Sequence, residues 1–153
     1  MKPLFIVTIL ILSLLGRSAN AVPAGTLLIS AKGACSRFSV SDKNYTCDKL
    51  LYAELPNGRF GYTFVVPGGV MTLFGGRTSQ PAPERYTLII DKIVTTFDQS
   101  GKTADLPATG TCVLYLSGDG KIFHELHCDV KGEVDRIVID FKSDGKPVSA
   151  DRF

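Results

Sequence analysis

The densest set of chemically capable side chains is His124-Glu125-Leu126-His127-Cys128-Asp129, which gathers two imidazoles, a thiol and two carboxylates in one short run. A helical zinc-protease site needs two histidines four apart, so that both lie on one face of a helix. Here the spacing is three. On a strand, residues three apart point to opposite faces, so His124 and His127 are expected to fall one near the core and one outside, sharing no metal ion. The second chemistry on offer is a Cys-His nucleophile drawn from Cys112 or Cys128 and either histidine, which requires a free thiolate. The carboxylates Asp91, Asp98, Asp105, Asp129, Asp140 and Asp144 are numerous, but no spacing pairs two of them for acid–base work. Most sit beside turns, where Asp serves local backbone hydrogen bonds. Gly68-Gly69 and Gly75-Gly76 are not followed by the helix that a phosphate loop requires. No catalytic residue, metal ligand or cofactor is therefore assigned.

The fate of the thiols depends on compartment. Met1-Lys2-Pro3, the apolar run Leu4 to Leu15 and the small residues of Ala19-Asn20-Ala21 have the form of a secretory signal peptide over residues 1–21, leaving residues 22–153 as a single domain. The apolar run is about a dozen residues, short of a membrane span, and no later segment is longer, so no integral membrane segment is expected after cleavage. The full chain has 17 Lys+Arg and 15 Asp+Glu, but Lys2 and Arg17 leave with the leader and fifteen of each sign remain. A neutral domain with scattered charges has no electrostatic footprint for nucleic acid.

Four cysteines in an exported chain point to two disulfides. Cys35 and Cys47 flank the polar turn Ser41-Asp42-Lys43-Asn44, and Cys112 and Cys128 flank Gly118-Asp119-Gly120, so sequential pairing is the economical arrangement among three. One point resists it. If Ser117 faces Lys121 around a three-residue loop, Cys112 is diagonal to Cys128 at about 7–8 Å, too far for a bridge, and only a shifted or longer turn restores contact.

The elements that must hold these residues read as strands. Lys49 to Val66 is a hairpin about Pro56-Asn57-Gly58, a three-residue loop ending in a positive-φ glycine. That register sets Leu55 opposite Arg59, Tyr52 opposite Tyr62 and Leu50 opposite Phe64. A two-residue Asn-Gly loop would demand a ladder donor where Pro56 has none. Further strands are expected at Thr26–Ser30, Cys35–Val40, Val70–Phe74, Arg85–Phe97 with a bend near Asp91, Thr111–Leu116, Lys121–Cys128 and Arg136–Phe141. On the arm after Gly120, Ile122, His124, Leu126, Cys128 and Val130 are expected to share a face. No apolar 3.6-residue period persists beyond the leader. The fold class is all-β, an antiparallel sandwich or barrel of about eight strands with two disulfides.

Arg77-Thr78-Ser79-Gln80-Pro81-Ala82-Pro83-Glu84 has no apolar period and two prolines, and reads as a surface loop. Arg77, Gln80 and Glu84 are its candidate binding residues, since binding groups often sit on loops held by a rigid scaffold. The runs Cys47-Asp48-Lys49-Leu50-Leu51-Tyr52, Leu55-Pro56-Asn57-Gly58-Arg59, Phe74-Gly75-Gly76-Arg77 and Ser143-Asp144-Gly145-Lys146-Pro147-Val148 resemble those of short exported proteins of alphaproteobacteria that have no assigned activity. The resemblance covers most of the mature chain, implies a periplasmic or secreted location, and carries no catalytic residue with it.

The expected role is a non-catalytic exported β-domain that binds a protein or small ligand, or serves the envelope, with an envelope or extracellular protein as partner and hydrolase inhibition as one form. The alternative is a small hydrolase or metal-dependent enzyme using His124 and His127. Removal of the leader would start the exported chain at Val22, which intact-mass measurement of the protein recovered from an envelope fraction checks; a mass retaining residues 1–21 refutes it.

Overall fold

A computed structural model describes residues 22–96 and 102–153. The leader and Phe97, the last residue of the strand expected from Arg85, lie outside the described residues. The strands are β1 (Leu27–Val40), β2 (Lys43–Asn44), β3 (Lys49–Glu54), β4 (Phe60–Val66), β5 (Gly69–Gly75), β6 (Arg77–Ala82), β7 (Arg85–Thr96), β8 (Ala104–Leu116), β9 (Phe123–Lys131), β10 (Arg136–Ser143) and β11 (Ser149–Arg152). Eight of them run antiparallel in the order β1-β3-β4-β5-β7-β8-β9-β10, and β10 pairs with β1 to close a barrel. The choice left open between sandwich and barrel thus falls to the barrel.

The hairpin has the register that Pro56 demands. Leu55 N–H donates to Arg59 O at 2.8 Å and Gly58 N–H to Leu55 O at 3.0 Å. Gly58 sits at φ +78°, and Tyr52 faces Tyr62 while Leu50 faces Phe64. Elsewhere strands run further than their composition suggests. Thr26–Ser30 and Cys35–Val40 belong to one strand, β1, which bends through a bulge between Cys35 and Arg37. Its Gly33 lies so close to β10 that a Cβ there would overlap the Lys142 carbonyl oxygen. The polar stretch before Thr111 is the first half of β8, and the tail residues 149–152 form β11 against Leu27–Ser30.

The segment expected as a surface loop is also a strand. Arg77 pairs with Ile89 and Thr78 with Leu88, continuing across Gly75-Gly76 the register that β5 holds against β7. Backbone pairing to a strong neighbour overrides the polar composition, and Pro81 falls in the irregularity between Ser79 and Ala82, where the ladder asks no donor of it. Because β4 begins at Phe60, opposite Gly75, β6 rises beyond the β3–β4 tip with β7 as its partner.

The interior is filled from every wall by side chains such as Phe38, Leu50, Phe64, Met71, Leu73, Leu88, Ile90, Leu126, Val130, Ile137 and Ile139, all buried. Cross-strand ion pairs lie on the outside: Arg59 with Asp91, Lys92 with Asp105 and Arg136 with Asp129. Such half-exposed pairs add little stability, so the apolar interior and the bridges carry the fold.

Both disulfides are sequential. Cys35–Cys47 joins β1 to the segment before β3, and Cys112–Cys128 joins directly opposed residues of β8 and β9, with Cα atoms 4.1 Å apart. Ser117 N–H donates to Ile122 O at 2.9 Å, one position beyond the three-residue loop, and a bulge then adds a second residue between Leu116↔Phe123 and Tyr115↔Glu125. Together these steps bring Cys112 from diagonal to opposite. Both of these sulfurs belong to fully buried residues, whereas Cys35 is half-buried. A thiol reductant added to native protein should open Cys35–Cys47 first and spare Cys112–Cys128 until the barrel unfolds, as alkylation and peptide mass mapping would show. Replacing Cys112 and Cys128 together by Ala should cost about 3 kcal/mol in denaturant unfolding, the scale of a loop of this length; an unchanged midpoint would contradict it.

Candidate functional site at the barrel mouth

The bulge on β9 decides which side chains enter the barrel. The extra residue is His124, so Phe123 turns inward while His124 and Glu125 both remain outside. The expected face is therefore corrected: Phe123, Leu126, Cys128 and Val130 point to the core, and Ile122 and His124 do not share that face. The turn feeding Phe123 is built by side chains. Ser117 Oγ donates to Asp119 Oδ1 at 2.6 Å, and Lys121 N–H donates to the same oxygen at 3.0 Å. Those two bonds, in that order, hold the Asp119 carboxyl below the usual carboxylate range.

With both histidines outside, the His-Glu-Leu-His-Cys-Asp run disperses. His127 Nδ1 meets Asp140 Oδ1 across β9–β10, Asp129 pairs with Arg136, and Cys128 is oxidised. Among the described residues no group of three or more His, Cys, Asp or Glu side chains comes together to hold a metal ion. The His127–Asp140 couple has the form of the orienting half of a catalytic triad. Its ladder neighbour on β8 is Val113, which offers no nucleophile.

Phe123 instead joins an aromatic group at the end of the barrel marked by the Pro56-Asn57-Gly58 turn. Tyr52 is its hub, with ring centroids 5.5 Å from Tyr62, 6.2 Å from Phe60 in a stacked arrangement, and 6.4 Å from Phe123 edge-on. These rings, with Ile29 of β1, Tyr86 and Leu88 of β7, Leu114 and Leu116 of β8, and Thr78 of β6, line a cavity of about 300 Å³. No charged side chain is among the lining residues.

The polar groups that converge on it are hydroxyls. Tyr62 is only 2% exposed. Burial first, then the neighbouring Tyr52, pushes its phenol far above the ordinary tyrosine range. Tyr52 is raised likewise, by burial first and then by Glu54 and Tyr86. Both are neutral phenols at any physiological pH.

Of the expected binding residues, Arg77, Gln80 and Glu84 are all exposed on the β6–β7 arm and do not converge. Arg77 pairs opposite the outward Ile89, Gln80 Nε2 donates to Pro83 O at 2.9 Å, and the Glu84 carboxylate lies against Gly118 of the β8–β9 turn. It is Thr78, between them, that reaches the mouth. A larger recess of about 410 Å³ at the opposite end lies among Val40, Tyr45, Met71, Ile93 and Leu106, rimmed by the turn residues Asp42, Lys43, Glu133 and Asp135. Its rim is charged and exposed, whereas the mouth collects buried neutral groups.

Comparison with protein-family models, curated proteins and solved structures finds no match. Among the described residues no helix is long and apolar enough to cross a membrane.

The raised phenols set an alkaline signature. Unfolded tyrosine ionises near pH ~10, so above that pH the unfolded chain sheds protons that Tyr52 and Tyr62 keep in the fold, and stability falls as pH rises. The phenolate absorbance of native protein should lack these two groups until the barrel unfolds, and Tyr62→Phe should remove one equivalent from the late step only. Reversible ionisation of all five tyrosines in folded protein would contradict this.

Proposed function

We propose that the protein is a non-catalytic exported binding protein that takes a small, largely apolar ligand into the mouth of its barrel. The observation that carries the reading is the aromatic cavity around Tyr52, Phe60, Tyr86 and Phe123, an unfilled space at one end of the barrel whose lining, unlike that of the recess at the other end, holds no charged side chain. Eight-stranded barrels are just wide enough either to fill completely or to hold one small ligand. Ligand sites are concave and mostly apolar with a few placed polar groups, and a volume of about 300 Å³ falls at the small end of their range. The leader supports export, and two disulfides suit an oxidising compartment. A bacterial periplasmic or secreted setting follows from the resemblance noted above. The enzymatic alternative has less behind it, because His124 and His127 lie on the outer surface and line neither of the cavities at the two ends of the barrel.

Titration with an environment-sensitive naphthylamine dye tests the reading. Saturable one-to-one uptake is expected. Thr78→Trp, a change at an exposed strand position whose side chain faces the cavity, should weaken uptake about tenfold or more with the circular dichroism spectrum unchanged. Absence of saturable uptake, or uptake indifferent to Thr78→Trp, would refute it.

A further inference from the structure

Tyr62 stands on β4 between Tyr52 and Leu73, with its ring in the core and its side chain lining the mouth cavity. No described residue hydrogen-bonds its hydroxyl. Yet among the described residues no side-chain nitrogen or oxygen is sealed from solvent without a partner. A hydroxyl that is unpartnered but not sealed, on a residue 2% exposed, has to open into the cavity that the residue lines.

We infer that the Tyr62 hydroxyl is the polar recognition point of the mouth, and that the ligand is an uncharged, ring-bearing molecule entering with a carbonyl-type acceptor at its leading end. The inference rests on the binding role proposed above and names the ligand class for that site. Each part follows from the lining. A phenol is a stronger donor than acceptor, so the partner it favours is an acceptor. An anion would be buried with no cation among the lining residues to meet it. A cation could face the rings, but it would leave the Tyr62 proton without an acceptor. Rings suit the body of the ligand because Tyr52, Phe60, Tyr86 and Phe123 all line the cavity, and aromatic groups pair favourably with one another.

Three matched probes test the inference: methyl naphthyl ketone, isopropenylnaphthalene, in which a methylene replaces the carbonyl oxygen, and naphthyltrimethylammonium. Wild-type protein should bind the ketone about five- to tenfold more tightly than the olefin. Tyr62→Phe should abolish that preference while still binding the olefin, whereas Tyr115→Phe, on the outer surface of β8, should keep it. Equal binding of ketone and olefin by wild type, or a preference that survives Tyr62→Phe, would overturn the inference and leave the binding role standing. Tightest binding of the ammonium probe would overturn the uncharged class. Failure of all three probes would overturn the binding role and the inference together.

Discussion

Pairing of β1 with β10 turns an eight-strand meander into a barrel, and the interior, the mouth and the outer surface all take their positions from that seam. An open sheet of these strands would present two long unpaired edges and an aromatic face with nothing over it. Closure removes both problems at once, since each inward side chain then meets the opposite wall. The seam needs two backbones in close contact, which is why Gly33, facing the Lys142 carbonyl, has no room for a side chain. It also needs β1 to serve two neighbours on one edge. Gly33–Val40 pairs with β10, and Leu27–Ser30 pairs with β11.

Those parts of the fold governed by local chemistry were legible in the sequence. The hairpin about Pro56-Asn57-Gly58 could be read to individual pairs, because proline's missing donor and glycine's positive φ leave one register. The cysteine pairing was legible for a related reason: each pair brackets one turn. Where partners at long range decide the outcome, the residues gave less. Arg77–Ala82 is strand only because β7 continues beside it, and Ser149–Arg152 only because β1 leaves a free edge. Neither fact is written in those segments.

The same distinction explains the site. Tyr52 and Tyr62 were visible as a facing pair of the hairpin. What could not be seen was that Phe123 joins them, since strict alternation assigns the inward place to His124. The signal was present in weak form: the polar pair His124-Glu125 interrupts alternation, as a bulge does. That single inserted residue leaves His124 outside with His127 and brings a phenyl ring inside. It moves the chemistry of this chain from titratable groups to neutral hydroxyls set in an apolar wall.

The seam also bears on how the chain reaches its native state. Ser36 of the first strand bonds Asp140 across 104 residues of sequence, so the wall cannot be completed until the last strands are in place. Contacts so distant along the chain make folding slow. The Cys35–Cys47 bond, only 12 residues apart, closes a short loop and asks nothing of the distant strands. An oxidant can thus staple the first strand to its early neighbour long before its final one arrives, holding one side of the seam in place while the rest of the wall is still open.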